Sequence, residues 1–416
     1  MSLIIAAPAS GSGKTTVTLG LLRALSRRGT IVRGAKSGPD YIDPQFHAAA
    51  CGQPCINLDA WAMGPDQIRA LAAGPPLIIE GAMGLFDGAP PGGKGATADL
   101  ARILGLPVVL VIDAGRMAGS VAALVKGFAS FDPSVEITGV ILNNVGSARH
   151  EAMLRRALPD AQIFGALPRD TGITQPSRHL GLVQAHERDD LTAFLDLAAD
   201  LVAENCDLSA VASLLHAMPA IAGTAPVKPP AQSIAIARDA AFAFSYPHLL
   251  DDWRRAGASL SFFSPLADEA PAADADLIYL PGGYPELHAG QLAANETFLN
   301  ALRGASAQIY GECGGYMVLG QALTDAKGKT HAMAGLLPLE TSFAQRKLHL
   351  GYRSLQASAG PFAGVWKGHE FHYATTIGAS GTPLFEAQDA ENTALAPMGL
   401  IRNNVMGSFA HIIAPA

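Results

Sequence analysis

In the first half of the chain, short apolar runs alternate with longer segments whose apolar residues recur at helical spacing. The apolar runs are SLIIAAPA (2–9), PLIIEGAM (76–83), PVVLVIDA (107–114) and ITGVILNNV (137–145). The helix-like segments include TTVTLGLLRALSRRG (15–29), LTAFLDLAADLVAEN (191–205) and LSAVASLLHAM (208–218). Strands that are buried on both faces read as continuous apolar runs, so this alternation predicts β–α units around a parallel sheet.

The strand-then-helix pattern stops in a stretch rich in proline, alanine and glycine, and then restarts. The later segments are SIAIARD (233–239), PHLLDDWRRAGA (247–258), SLSFFSPL (259–266), ADLIYLPGGYPE (275–286) and QIYGECGGYMVLG (308–320). A chain of 416 residues is also too long for one ordinary core. The sequence therefore predicts two α/β domains, 1–220 and 233–416, joined by a linker at 221–232.

Composition and charge argue against several classes of partner. The chain is 49% hydrophobic, and its 29 basic and 36 acidic residues give a net charge of −7 without a dense Lys/Arg run. Nucleic acid and anionic membranes are therefore not expected as main partners. The apolar run ILGLPVVLVI (103–112) is too short to span a bilayer, and no targeting leader is expected at the N-terminus. Four cysteines without a disulfide-like framework indicate a cytoplasmic protein, and we interpret Cys51 and Cys55 as structural.

The stretch APASGSGKTT lies between the first predicted strand and the first predicted helix, where a phosphate-binding loop is expected. Gly11 and Gly13 would let backbone N–H groups converge on phosphate oxygens, because no Cβ stands in the way. Lys14 would reach the β- and γ-phosphates, and the Thr15 hydroxyl would coordinate Mg²⁺. Pro8 occupies the place of the first glycine in G-x-x-x-x-G-K-[ST]. The predicted ATP-binding residues are Gly11, Ser12, Gly13, Lys14, Thr15, Thr16, Lys36 and Asn143.

Acidic residues follow two of the strand-like stretches. Asp40 and Asp43 lie in KSGPDYIDP, while Glu80 ends a strand and Asp87 follows it in LIIEGAMGLFDG. Open parallel sheets bind ligands at the carboxyl ends of their strands. Mg²⁺ on a nucleotide takes one or two carboxylates, so Glu80 and one of Asp40 and Asp43 are expected to join Thr15. The predicted metal set is Thr15, Asp40 and Glu80, whereas Asp87 fits a helix cap as readily as a functional role.

One cysteine lies between glycines in IYGECGGYMVLG. A residue on a sharp strand-to-helix turn needs small neighbours, which Gly311, Gly314 and Gly315 provide. The helix end is expected to favour the thiolate form of Cys313, which we predict to be a nucleophile. The N–H groups of Gly314 and, in LPGGYPE, of Gly283 are predicted to form an oxyanion hole.

A thiolate nucleophile needs a base, and spacing alone does not choose one among the histidines of the second domain. These are His288, His331, His349, His369, His372 and His411.

The chain resembles the cobyrinic acid a,c-diamide synthase family of corrinoid biosynthesis, whose aerobic members act on hydrogenobyrinic acid. The resemblance covers nearly the whole chain. It rests on the order and spread of APASGSGKTT, KSGPDYIDP, NLDAW, EGAMGLFDG, AFAFSYPHLL, FFSPLAD, LPGGYPELHA, YGECGGYMVLG, GHEFHY and GSFAHI.

The resemblance implies an N-terminal P-loop amide-synthase domain similar to dethiobiotin synthetase and a C-terminal class I (triad-type) glutamine amidotransferase domain. It implies that Cys313 is the glutaminase nucleophile and that His411, in GSFAHI, is its base. Ile413 stands where many triad-type enzymes carry a glutamate, which favours a Cys–His dyad. The segments that the family places near corrinoid and nucleotide contain Asp40, Tyr41, Asp43, Glu80 and Asp87. Glu370, His369 and His372 lie in GHEFHY and receive no role.

Two sites in one chain suit the amidation of a carboxylate. A carboxylate resists ammonia until the γ-phosphoryl group of ATP converts it to an acyl phosphate. Ammonia is released from L-glutamine at the cysteine, because free ammonia in water would be protonated. The resemblance thus implies ATP, Mg²⁺, glutamine and hydrogenobyrinic or cobyrinic acid as reactants, with both the a and c acetates amidated, and a homodimer.

Other functions remain open at this stage. Cobyric acid synthase and nickel-sirohydrochlorin a,c-diamide synthase are related amidating enzymes. A partitioning-type P-loop ATPase would bind partner proteins and modify no metabolite, but it would have no use for a glutaminase domain. A degenerate, regulatory second domain would release no glutamate.

Overall fold

A computed structural model describes residues 2–169, 184–221 and 224–416 of the chain. The chain forms two compact units, Met1–Thr224 and Ala225–Ala416. Their boundary falls within the stretch predicted as a linker, 221–232. Among the described residues, none of the helices combines the length and the apolar character that crossing a bilayer requires.

The first unit alternates strands with helices. Its strands are β1 (Leu3–Ala6), β2 (Arg33–Ser37), β3 (Ile56–Leu58), β4 (Leu77–Glu80), β5 (Val108–Asp113), β6 (Ile137–Val145) and β7 (Ile163–Pro168). Its helices are α1 (Lys14–Arg27), α2 (Asp43–Cys51), α3 (Pro65–Ala72), α4 (Thr97–Leu104), α5 (Val121–Phe131), α6 (Ala148–Ala157), α7 (Leu191–Asn205) and α8 (Leu208–Ser213). Every strand and helix that the sequence pattern predicted for this half is present, so the α/β class is confirmed.

The seven strands form one parallel sheet in the order β3-β2-β4-β1-β5-β6-β7. β1 and β4 are buried along their whole length, which explains their continuous apolar sequences. Because the strands are parallel, their carboxyl ends share one edge. The register pairs Glu80 with Ile5 on one side and with Lys36 on the other. The sheet therefore places the start of the phosphate loop, Lys36 and Glu80 side by side.

The second unit has a mixed central sheet of six strands in the order β19-β20-β11-β10-β8-β9. Five of its strands are parallel: β8 (Ser233–Ala237), β9 (Ser259–Phe263), β10 (Leu277–Leu280), β11 (Gln308–Glu312) and β20 (Val405–Ser408). The antiparallel strand, at the edge opposite β9, is β19 (Leu400–Arg402). Its helices are α9 (Pro247–Arg255), α10 (Ala289–Ala294), α11 (Glu296–Gly304) and α12 (Gly314–Leu319). The predicted elements of this half are also confirmed.

The structure adds two four-stranded sheets, β13-β12-β14-β17 and β18-β15-β16-β21, that the sequence pattern did not predict. Their strands are β12 (Ala322–Thr324), β13 (Thr330–Ala332), β14 (Leu339–Ser342), β15 (His349–Ala357), β16 (Gly364–His372), β17 (Thr375–Ala379), β18 (Glu386–Gln388) and β21 (Ala410–Pro415). Several are only three or four residues long, and in β15 and β16 polar residues and glycines interrupt the apolar ones, so they give no apolar run. β16 pairs with β21 and sets His369 opposite His411.

Candidate active sites

The loop between β1 and α1 has the backbone conformation that glycine allows. Gly11 and Gly13 have φ angles of 82° and 92°, in the left-handed region. The Ser12 hydroxyl donates to the Ala9 carbonyl (2.9 Å), and the Asn143 amide donates to the Ser12 carbonyl (3.0 Å). Any side chain at Gly13 would collide with the Asn143 amide. Asn143 thus holds the loop in place, and its role in binding ATP stays a prediction.

Lys14, the first residue of α1, is folded back over the loop. Its Nζ donates to the carbonyl of Met83 (2.6 Å) and to that of Ala9 (3.4 Å). Burial lowers the pKa of Lys14, and the nearby Lys36 lowers it further, although Glu80 opposes both. An anion bound in the loop would therefore favour the charged form of this lysine.

Glu80, at the end of β4, is the buried centre of a polar cluster. Its Oε1 accepts hydrogen bonds from Thr15 Oγ1 (2.6 Å) and Lys36 Nζ (3.0 Å), and its Oε2 is 2.6 Å from His47 Nε2. Burial alone would raise the pKa of Glu80, but Lys36 and the hydrogen bonds from His47 and Thr15 hold it well below its usual range. Glu80 is therefore an anion tied to the phosphate loop through Thr15.

Lys36 links Glu80 to the acidic loop. Its Nζ lies 2.6 Å from Asp43 Oδ2 and 3.8 Å from Asp40 Oδ2. Burial would lower the pKa of Lys36, but Glu80, Asp43 and Asp40 together raise it well above its usual value. Burial raises the pKa of Asp43, and the neighbouring Asp40 adds to this effect. Three acidic side chains thus share one lysine.

The other predicted residues of this unit lie around the cluster with less defined contacts. Asp40 Oδ1 accepts from the backbone N–H groups of Ile42 (2.7 Å) and Asp43 (3.2 Å), so one oxygen of Asp40 holds the start of α2. Tyr41 is half-buried in the same loop, and Thr16 is half-buried in the first turn of α1. Asp87 is exposed, and its carboxylate accepts from the Gly84 N–H (3.0 Å) within a turn.

Cys313 lies on a sharp turn between β11 and α12, as predicted. Its φ is 45° and its ψ is −100°, a strained conformation for a residue with a side chain. Its N–H donates to the Ser408 carbonyl of β20 (2.8 Å), which holds the turn in place. A Cβ at Gly311 would lie 2.7 Å from backbone atoms of Gly315 and Tyr316, so this neighbour must be glycine.

The prediction that the helix end lowers the pKa of Cys313 is wrong. Burial raises its pKa, Glu286 adds to the shift, and the hydrogen bond from the Gly314 N–H opposes it only in part. Glu370 and Glu312 act in the same direction as Glu286. Helix α12 has only six residues, so its dipole is outweighed by burial and by carboxylates. Cys313 rests as a thiol.

The two glycines predicted as oxyanion donors lie next to each other. A Cβ at Gly314 would be 3.0 Å from the backbone nitrogen of Gly283. The Gly315 N–H donates to the Pro281 carbonyl (3.2 Å), which ties the loop after β10 to the start of α12. The backbone N–H groups of Gly283 and Gly314 therefore lie beside the Cys313 turn.

His411, on β21, is buried against the same loop. A Cβ at Gly282 would lie 3.1 Å from His411 Nε2, so the imidazole packs directly on this glycine. The opposite ring nitrogen, Nδ1, is 3.5 Å from Glu312 Oε2. The structure thus brings His411 to the loop that carries Gly283, beside the turn of Cys313.

The GHEFHY segment forms a second buried polar group. Glu370 Oε2 accepts from Arg353 Nε (2.9 Å) and Nη2 (2.7 Å), and its Oε1 lies 2.9 Å from His372 Nε2. His349 stacks on His372 with ring centroids 4.6 Å apart. The potential ligand atoms of His349, Glu370 and His372 lie within 4.8 Å of one another. Arg353 and His372 already satisfy both oxygens of Glu370, so these contacts account for the group without a cation.

Two residues of these sites were not found by sequence reasoning. His47 hydrogen-bonds to Glu80 from α2, and Glu312 precedes Cys313 on β11. A histidine in a short helix gives no local signal. Glu312 does give a signal, because it is an acidic residue at the end of a buried strand. Such a residue needs hydrogen-bond partners inside the fold.

Comparisons with known proteins match both halves of the chain. Residues 3–183 match the family described as the CobQ/CobB/MinD/ParA nucleotide binding domain, and residues 233–416 match the CobB/CobQ-like glutamine amidotransferase domain. Similar full-length proteins are the hydrogenobyrinate a,c-diamide synthases of Brucella abortus (56% identical), Rhizobium meliloti (55%) and Rhodobacter capsulatus (54%). Each alignment covers 99% of this chain and 98% of the relative.

Proposed function

Because the chain belongs to the hydrogenobyrinate a,c-diamide synthase family, we propose that it uses ATP and glutamine to amidate the a and c acetates of hydrogenobyrinic acid. Family membership confirms the resemblance noted from the sequence and makes the chain a glutamine-dependent amide synthase of cobalamin biosynthesis, a ligase that forms C–N bonds. The observation that carries the proposal is that one unit has a phosphate loop tied to an acidic cluster, whereas the other has a strained cysteine turn beside the backbone N–H groups of Gly283 and Gly314.

In the first unit, the chain binds ATP and activates the acetate. The backbone N–H groups of Gly11, Ser12 and Gly13 cradle the phosphates, and Lys14 exchanges its carbonyl partners for phosphate oxygens. The acetate oxygen attacks the γ-phosphorus, ADP leaves, and an acyl phosphate forms. Ammonia then attacks the acyl carbon, so that a C–N bond forms and inorganic phosphate leaves.

The acidic cluster fits Mg²⁺. Thr15 Oγ1 and Glu80 Oε1 are 2.6 Å apart, and Asp40 and Asp43 add further carboxyl oxygens around Lys36. We therefore assign Thr15 and Glu80, with Asp40 nearby, to hold the ion. When bound, Mg²⁺ neutralises charge on the phosphate oxygens.

In the second unit, Cys313 releases ammonia from glutamine. His411 takes the proton of the thiol as sulfur attacks the carboxamide carbon, and the N–H groups of Gly283 and Gly314 bind the developing oxyanion. His411 then gives the proton to the departing nitrogen, which leaves as ammonia. Water hydrolyses the thioester to glutamate. Since Cys313 rests as a thiol, its proton must be removed in the same step as the attack.

The remaining assignments extend this proposal. Asp40, Tyr41 and Asp43 lie in a loop that reaches from Lys36 and could orient the acetate, and Asp87 stays a prediction for the same role. ATP and glutamine are cytoplasmic metabolites, which favours a cytoplasmic enzyme. The described cysteines are all free, as that compartment favours. A homodimer is proposed from the family alone.

An acceptor assay tests the proposal. With ATP, Mg²⁺ and glutamine, purified enzyme is expected to add two amides to hydrogenobyrinic acid, because its relatives are named for that product. Cobyrinic acid and nickel sirohydrochlorin, each assayed in parallel, are expected to react more slowly, and mass spectrometry counts the amides. Four added amides on a diamide acceptor would instead indicate a cobyric acid synthase, and preferred use of nickel sirohydrochlorin would identify the nickel enzyme. No amidation of any acceptor would contradict the proposal.

Asp43→Asn is expected to lower kcat/KM for the corrinoid about 10- to 100-fold, because Lys36 loses the carboxyl partner that holds its ammonium group in place. Asparagine keeps the shape but not the charge that faces Lys36 across 2.6 Å. Glutaminase activity, which belongs to the other unit, should be unchanged. Asp66→Asn is the matched control, because Asp66 is an exposed partner of Arg69. Amidation by Asp43→Asn at the wild-type rate would show that the loop does not serve the acetate.

A further inference from the structure

Glu312 is a buried carboxylate with two well-defined hydrogen bonds. Its Oε2 accepts from the Tyr279 hydroxyl (2.8 Å), and its Oε1 accepts from the Ile412 N–H (3.0 Å). The side chain is 1% exposed. A carboxylate is costly to bury unless such donors hold it. Burial, and then Glu312 itself, raises the pKa of Tyr279 well above its usual value, so the phenol keeps its proton and stays a hydrogen-bond donor to Glu312.

These hydrogen bonds aim the carboxylate at the histidine. Ile412 directly follows His411 on β21, so its N–H ties Glu312 to the backbone beside the imidazole. The oxygen that Tyr279 holds lies 3.5 Å from His411 Nδ1. A carboxylate at Nδ1 favours the tautomer that carries the proton there, which leaves Nε2 free to accept a proton.

The usual acid position is apolar in this chain. Ile413, two residues after the histidine, is fully buried, and its side chain cannot accept a hydrogen bond. Glu312 is instead the last residue of β11, and it directly precedes the nucleophile Cys313 in the sequence. The predicted Cys313–His411 dyad therefore has a carboxylate beside it, and the residues that follow His411 in the sequence do not indicate it.

We propose that Glu312 is the positioning residue of the glutaminase site, completing a Cys313–His411–Glu312 triad whose acid directly precedes the nucleophile. This inference rests on the proposed roles of Cys313 and His411. Glu312 orients the imidazole and stabilises the imidazolium that forms when His411 takes the thiol proton. Its charge also disfavours a resting thiolate, so the proton moves when glutamine arrives.

The test is Glu312→Gln in the full-length enzyme. Glutamine keeps the size of the side chain but offers no anion to the imidazole, and its amide can force the wrong tautomer. We expect kcat for glutamate release to fall at least about 100-fold, in line with the loss of the acid in other triads. Amidation from ammonium salts in the same preparation should stay within about twofold, because it needs only the first unit.

A pH profile separates positioning from a purely structural role. In Glu312→Gln, the imidazolium of His411 loses the carboxylate that lies 3.5 Å from its Nδ1, so the acidic limb of kcat/KM for glutaminase should move to lower pH. Tyr279→Phe is the matched variant, because it removes a hydrogen bond from the same oxygen but keeps the charge. It should cost less activity and leave the limb in place.

The outcomes are distinct. Glu312→Gln with near wild-type glutaminase, or with a reduced rate but an unmoved acidic limb, would overturn the proposal. If Glu312→Gln does not fold, Glu312→Asp replaces it in the test, because aspartate retains the carboxylate. This variant should keep the acidic limb of the wild-type enzyme, and a displaced limb would count against the positioning role. Cys313→Ala is run alongside: glutamate release that survives it would refute the proposed function itself rather than the role of Glu312.

Discussion

Cys313→Ser is expected to abolish amidation from glutamine while amidation from ammonium salts continues at close to the wild-type rate. The serine hydroxyl is a far weaker nucleophile than a thiol under the same base, so glutamate release should fall at least about 10³-fold. The substitution is nearly isosteric and keeps the turn, which depends on the Cys313 N–H to Ser408 and on the neighbouring glycines. Glutamate release and the amide count of the corrinoid measure both effects in one reaction mixture.

Cys206→Ser is the control for this variant. Cys206 is also a free thiol, half-buried, whose pKa burial raises to about 12, but it lies in the first unit after α7. Its replacement should leave amidation from glutamine and from ammonium salts at the wild-type rate. If Cys313→Ser still amidates with glutamine, Cys313 is not the nucleophile. If the variant loses amidation with both glutamine and ammonium salts, the two reactions are not assigned to separate units as proposed.

The same result decides between classes of protein. A partitioning-type ATPase has no nitrogen donor, and neither amidation would be detectable in the wild type. A regulatory second unit would release no glutamate before or after the substitution. Only an amidotransferase loses one nitrogen source and keeps the other.

Features set by local sequence could be predicted. The phosphate loop and the cysteine turn depend on glycines close to the functional residue. At Gly13 and Gly311 a side chain would collide with neighbouring atoms, so only glycine fits there. Glu80 could be placed because a parallel sheet brings all its strand ends to one edge. These positions follow from chain neighbours and from strand direction.

Features that depend on contacts between distant parts of the chain could not be predicted from the sequence. His47 reaches Glu80 from a helix, and Glu312 reaches His411 across two strands, so nothing in the neighbouring sequence indicates either contact. The pKa of Cys313 was predicted in the wrong direction for the same reason. The helix end is a local feature, whereas Glu286 and Glu370 come from distant segments and outweigh it together with burial.

Lys14→Met is expected to lower amidation about 10²- to 10³-fold with either nitrogen source, the usual cost of removing one charged donor from a transition state. Methionine fills the space of the lysine stem but offers no charge to the phosphates, and it releases the carbonyls of Met83 and Ala9 that Nζ now binds. ATP consumption and amide formation should fall together. The rate at which a chloroketone analogue of glutamine alkylates Cys313 should not change, because that thiol belongs to the other unit.

Lys126→Met serves as the control, since Lys126 is exposed on α5. Lys14→Arg adds a sharper test: the guanidinium keeps the charge, but a nearly buried site shaped around an ammonium group does not admit its planar fork. If charge alone mattered, the arginine variant would recover most of the activity. If position matters as well, as the two carbonyl contacts indicate, both variants fail with ammonium salts and with glutamine. An enzyme whose ammonium-dependent amidation survived Lys14→Met would not use this loop to activate the acid.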